Sequence, residues 1–362
     1  MDNDTVIRVS DAAELLAFIS YQLGFTPQQS VVFLGIRSDG STGMAARADL
    51  AAFADPAAAA DIADVIAGHL LDDGARDLMG IVYSNVPHTE LATHPDITTL
   101  LPFLCARTGW PQIGWWHVGP ETFTSIDVNR GPGEPRALSE VATTRVAASM
   151  VLAGRSLVAS REELGKLPEV DAEARAMARQ TARCAQEQER IAGMGRDAAW
   201  LAEHAERWSR LLDAVRANSP LPPPELGRLA VGLSDRRFRD QIISATCMGV
   251  PDHLGAPGWR DVAAAVLRPN GPAPESAVLA TVEEVLTAVA AHLEDAQGID
   301  ALVMLGWFAW WRGHHAKADV LISRCLATNS QHRLASLMRD VLARGVPPGW
   351  VKTREYTRGG RR

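Results

Sequence analysis

No two of the four cysteines (Cys105, Cys184, Cys247, Cys325) have the two-residue spacing of a zinc ribbon or a redox motif. Scattered cysteines of this kind suit reduced thiols and a cytoplasmic protein. The start, MDNDTVIRVSDAAELL, has no basic stretch followed by an apolar one, so no signal peptide is expected. The longest wholly apolar run, Ala301–Trp311, has eleven residues. That is about half of a membrane span, and no membrane partner is expected. GxxxxGK[ST], GxGxxG after a strand, HExxH and GxSxG are all missing. The easily recognised nucleotide, zinc-protease and serine-hydrolase classes therefore lack support, and neither a cofactor nor a metal is expected. A bulk-basic character is lacking too: net charge is −7. Only the tail 351–362 is basic, with five Lys or Arg against one Glu from Lys352 on. Such a tail can touch nucleic acid or lie solvated; the solvated reading is preferred.

What is present suits a globular chain of 362 residues, 47% hydrophobic and 22% charged, long enough for two domains. The first third alternates strand and helix signals. Thr5–Val9 and Ser30–Arg37 read as strands, separated by a helix with Ser10 as its cap. SDGSTG turns the chain back. Asp55-Pro56 is a cap followed by proline at the first helical position. Leu78–Asn85 is a buried strand, Ile97–Arg107 a helix ending at Gly109, and Ile113–Asp127 a hairpin around Gly119-Pro120. Helices between strands imply crossovers, hence a mixed sheet with parallel pairs.

NRGPGEPR (Asn129–Arg136) is the expected break. Beyond it the composition favours helix. Ser160 and Glu163 have capping-box spacing. Met177–Leu212 is helix-favouring, with GMG at Gly193–Gly195 interrupting it. The expected layout is an α/β mixed-sheet domain over 1–130, an all-α domain over 137–350, and the tail 351–362. The all-α domain ends in a tetratricopeptide-like hairpin. Leu305-Gly306, Gly313, Ala318, Ile322 and Cys325 fit one such unit, while Ala309 and Ser330 depart from it.

For chemistry, the crevice beyond the strand ends is the default place. Ser84, Asn85, His88 and Glu90 follow the Leu78–Asn85 strand, with Arg37 and Asp39 after an earlier one. His88 fits a general base oriented by Glu90 or Asp39. An exposed connection fits the same residues and is preferred. His117 shares a strand face with Trp115 and can meet Ser125 or Asp127 across the hairpin, according to register. Arg236, Arg237 and Arg239 form a small basic cluster that can grip phosphate, or pair with Asp235 and Asp240. Trp307 and Trp311, four apart on an all-round apolar helix, read as packing or as an association surface. His314-His315 read as a turn, not as metal ligands, and His292 and His332 meet them only through folding.

Taken together, DAAELLAFISYQLGFTPQQSVVFLGIR, RVAASMVLAGRSLVASREEL, LSDRRFRDQII and WFAWWRGHHAKADVLISRCLATNSQHRLASLM resemble the actinobacterial family known as domain of unknown function 4192. The stretches span nearly the whole chain in that family's order; the departure is Asn329-Ser330, which replaces the family's usual Asp-Pro. The resemblance implies lineage and architecture, and carries no catalytic residues. The expected function is therefore a non-catalytic binding or scaffold protein, with a protein partner or self-association through the helical domain. A hydrolase or nucleotide-processing enzyme at the sheet edge is the alternative. A nucleic-acid-associated protein acting through its basic tail is the second alternative.

Overall fold

A computed structural model of the chain describes residues 9–108, 112–192, 196–254, 266, 268, 271–293 and 296–350. Two compact units divide it, Met1–Glu163 and Leu164–Arg362. Four expectations fall wholly or mainly outside the described residues: the strand Thr5–Val9 (all but Val9), the helix end at Gly109, the GMG at 193–195 and the tail 351–362.

The first unit is a mixed sheet with helices on both faces. α1 (Ala12–Leu23) is capped by Asp11, whose carboxylate accepts from Glu14 N. Ser10, the expected cap, instead donates its N–H and hydroxyl to the Glu14 carboxylate. The cap thus sits one residue later than the sequence suggests, with Glu14 closing the turn in reverse. β1 (Ser30–Arg37) turns into β2 (Thr42–Asp49), and α2 (Pro56–Asp72) begins at the expected Asp55 cap. β3 (Ala75–Tyr83), α3 (Leu101–Thr108), β4 (Gln112–Val118) and β5 (Thr122–Asp127) follow. Strand order is β2-β1-β3-β4-β5, and only β3 and β4 pair in parallel among the described strands. The α2 crossover joins two parallel-running strands, β2 and β3, but β1 lies between them and pairs antiparallel with both. The C-terminal end of β1 is consequently at the opposite sheet edge from that of β3.

The expected break at Asn129–Arg136 lies inside this unit. β6 (Gly131–Pro132) and β7 (Arg136–Ala137) both add to the outer side of β5. α4 (Ser139–Ala142) and α5 (Arg145–Leu152) then pack beside α1. Glycine and proline here shape a broken edge strand instead of a linker. Near the unit's end Glu163 accepts from Ala159 N, one residue earlier than the expected box with Ser160.

Side chains alternate across the sheet as the strand period requires. Val31, Phe33, Val82, Trp115 and Ile126 pack with α2 and α3. Val32, Leu34, Ile81, Tyr83, Val118 and Phe123 pack with α1. Gly80 makes room for the Trp115 ring, which a Cβ there would overlap.

The second unit is helical throughout its described residues: α6 (Ala172–Ala192), α7 (Ala198–Arg216), α8 (Pro223–Leu233), α9 (Arg236–Cys247), α10 (Ser276–His292), α11 (Ile299–Trp311), α12 (His315–Thr328) and α13 (Arg333–Ala343). Every residue of α11 except Asp300 is buried, as its all-round apolar sequence demands. A Cβ on Gly306 would lie 2.8 Å from Ile322 Cδ1, so α12 closes directly on α11. Gly313 turns the chain between them with φ 84°.

Candidate functional site

Because β3 and β4 run in parallel, they leave the sheet at the same edge. Ser84 follows β3 and donates its N–H to Val118 O. Its hydroxyl meets His117 Nε2 at 2.8 Å. Val86 N–H donates to the same Ser84 oxygen. Burial, reinforced by His88 and His94, lowers the His117 pKa to about 4. Ser84 and His117 are 5% and 1% exposed, so the pair is sealed from solvent.

The sequence named both residues but not their pairing. Register sets His117 opposite Thr124, not Asp127, and Trp116 opposite Ser125. Asp127 accepts from the N–H groups of Asn129 and Arg130 instead. The proposed histidine–carboxylate pair is thus replaced by a histidine–serine pair across the parallel strands. His88 starts a short 3-10 turn, His88–Thr93, and its Nδ1 is buried without a partner among the described residues. Glu90 on the same turn is exposed. Arg37 and Asp39 lie at the far edge, since β1 is antiparallel to β3. There Arg37 forks onto the Asp73 carboxylate with two 3.0 Å bonds. Asp39 closes its own turn onto Ser41. Neither orients His88.

Asn85 leads to a feature the sequence concealed. Its N–H donates to Gln29 Oε1 at 2.9 Å. Gln29 holds φ 41°, a left-handed backbone uncommon outside glycine. Its carbonyl accepts from Leu50 N. Gln29 so ties together the exits of β2 and β3 and the entry to β1. Beside it, on the α2 face, is a hollow of about 750 Å³ walled by Leu50, Phe53, Pro56, Pro95, Leu100 and Phe103. Among the described residues, no lysine, arginine or histidine lines it. Asp49 borders it, and its carboxylate is held by Arg47 at 2.6 Å. Nothing in the local sequence signals a concavity, because its walls come from three separated segments.

In the second unit, Trp307 and Trp311 are 9% and 1% exposed and pack within that unit's own core. The indole N–H groups serve as fasteners. Trp310 donates to Val346 O, Trp311 to Pro272 O, and Trp350 to Trp311 O. Arg237 pairs with Asp235 and donates to Arg196 O, while Arg236 lies 3.9 Å from Asp240. The basic cluster is therefore salt-bridged. Arg239 reaches inward to Asp300 at 2.9 Å, and His332 Nε2 meets the same oxygen at 3.2 Å. His332 Nδ1 accepts from Ala335 N and caps α13, which fixes the ring proton on Nε2. Asp300, unremarked in the sequence, is the hub of α9, α11 and α13. His315 Nδ1 meets Gly313 O and His292 Nδ1 meets Ala288 O. No group of three or more metal-ligating side chains gathers among the described residues. No described helix is long and apolar enough to cross a membrane.

The model of the family described as Domain of unknown function (DUF4192) matches residues 13–349. The chain belongs to this family. The match takes in both units, the sheet edge with Ser84 and His117, and the tryptophan-fastened helices. Comparison with curated proteins and with solved structures finds no match.

Proposed function

We propose that the chain is a non-catalytic binding protein whose first unit holds a small, uncharged, apolar guest in the hollow beside Gln29. The carrying observation is the hollow itself: apolar, about 750 Å³, and placed at the edge where the parallel strands end. Strain at Gln29 supports it, since unfavourable backbone is kept where a position serves a ligand. The helical unit is read as the scaffold half, offering its outer faces to a protein partner. Its α11–α12 hairpin is read as tetratricopeptide-like, supported by Gly306 against Ile322 and by the Gly313 turn. That none of the four cysteines forms a disulfide in this structure supports a cytoplasmic location. Titration of the full chain with the neutral fluorophore Nile red tests the binding. One saturable site is expected, abolished by Ala54→Trp, which fills the hollow. Non-saturable uptake, unchanged by Ala54→Trp, removes the reading.

A second reading, a serine hydrolase, rests on the Ser84–His117 hydrogen bond. Two observations weigh against it. Both side chains are sealed, and the nearby N–H groups of Asn85 and Val86 are already engaged, leaving none there for an oxyanion. A fluorophosphonate probe that labels wild type but not Ser84→Ala would revive it.

A further inference from the structure

The α1 face of the sheet, opposite the hollow, carries three buried polar groups without a hydrogen-bond partner among the described residues. They are the Ser30 hydroxyl, the Tyr83 hydroxyl and Arg47 Nε. Ser30 is 0% exposed and Tyr83 3%. Register makes them neighbours: Ser30 stands opposite Tyr83 on β3 and opposite Asp49 on β2. Arg47 precedes Asp49 by two residues and shares its face. Three neighbouring strands thus each carry one orphaned group on this face, with Arg47 one pair further along, opposite Val32. Burial pushes the Tyr83 phenol pKa upward, so it stays protonated and has a hydrogen to donate.

Leaving such groups unmet is costly, and native interiors rarely tolerate it. The chemistry of the patch restricts what can meet them. Arg47 Nε only donates, so the guest must accept. The Arg47 charge is already matched by Asp49 at 2.6 Å and its guanidinium lies 5.7 Å from the Phe25 ring centre. An anion has no net charge to answer there. An uncharged guest with two lone pairs and two hydrogens satisfies an arginine, a phenol and an alcohol together, close to the usual complement of about three bonds for an internal water.

We infer that a buried water site lies beneath α1, bridging Ser30, Arg47 and Tyr83 and sewing β1, β2 and β3 together on that face. The hollow lies on the other face, and Asp49 borders both. Ultraviolet resonance Raman spectroscopy of the full chain tests it, because the tyrosine Fermi doublet reports whether a phenol is hydrogen-bonded. Only three tyrosines are present, so the wild type minus Tyr83→Phe difference isolates one. A hydrogen-bonded Tyr83 is expected, and its doublet should shift in Ser30→Ala, since one guest serves both. Tyr83→Phe should lower Tm by about 2–4 °C. A free-phenol signature overturns the inference. So does a Tyr83 doublet indifferent to Ser30→Ala, or a Tm that holds or rises in Tyr83→Phe.

Discussion

The two units solve the burial of polar groups in opposite ways. In the first, neutral groups meet neutral groups: Ser84 with His117, Thr124 with Gly133 O. In the second, buried arginines reach carboxylates: Arg239 meets Asp300, and Arg207 meets the partly buried Glu225. Geometry explains the contrast. A sheet presents short side chains and strand-end backbone at its edge, where neutral hydrogen bonds suffice. Helices crossing at a distance are spanned by long arginines, whose stems pack while their heads pair. Neutral pairs tolerate the loss of one member better than ion pairs do, and that difference can be measured.

The largest expected effect is in the second unit. Asp300→Ala takes the nearer of two carboxylates from the buried Arg239, leaving Asp240 at 3.6 Å, and destabilisation of about 3 kcal/mol is expected. Ser84→Ala in the first unit should cost only about 1–2 kcal/mol. Denaturant unfolding followed by hydrogen exchange at α11 and β4 would assign each loss to its unit. Equal losses would break the contrast.

Next comes pH, where the units behave alike. Each holds one neutral buried histidine with a pKa lowered from 6.5 to about 4: His117 by burial and neighbouring histidines, His204 by burial and Arg207. The unfolded chain takes up these protons first as pH falls. The stability linked to each is therefore complete above pH 6.5 and declines as pH drops toward 4, by about 3 kcal/mol per histidine. His117→Asn should flatten that decline at β4 and leave it intact at α11. Unfolding followed from pH 7 to pH 4 checks this.

Smaller effects probe the fasteners. Trp310→Phe removes the bond to Val346 O and should cost about 1–2 kcal/mol, with faster exchange near Val346. Smallest is the response of the two left-handed non-glycine positions among the described residues. Asn218, φ 50°, only ends α7, so Asn218→Gly should stabilise by at most about 1 kcal/mol. Gln29→Gly relieves similar strain but deprives Asn85 of its acceptor, so no gain is expected. A matching gain at both positions would remove any special role for Gln29.

Much of the architecture was readable in the residues. The Asp55-Pro56 start, the hairpin at Gly119-Pro120 and the buried α11 follow from local chemistry and periodicity. Pairing was not. Whether β1 lies parallel or antiparallel to β3 depends on which strand the α2 crossover skips, and no local signal records it. That ambiguity put Arg37 and Asp39 beside His88 when they belong at the far edge. Register likewise decides between Asp127 and Ser84 for His117, and a histidine looks the same before either. The glycines and prolines from Asn129 to Arg136 suggested a linker because edge strands and linkers use the same residues. The hollow was hidden for a different reason: Leu50, Phe53, Leu100 and Phe103 are ordinary core types until the space between them is known.

The fastening of Trp310 to Val346, and of Trp350 to Trp311, bears on the order in which the chain is made. Residues 346–350 leave the ribosome after every helix they secure. The first unit has its sheet complete while they are still untranslated, but α11 must wait with the Trp310 indole and the Trp311 carbonyl lacking their final partners. During synthesis, then, the most apolar helix of the protein is the last to be covered. That interval is when a chaperone would find it, and a stall before Val346 should yield a folded sheet joined to a sticky, protease-sensitive helical half.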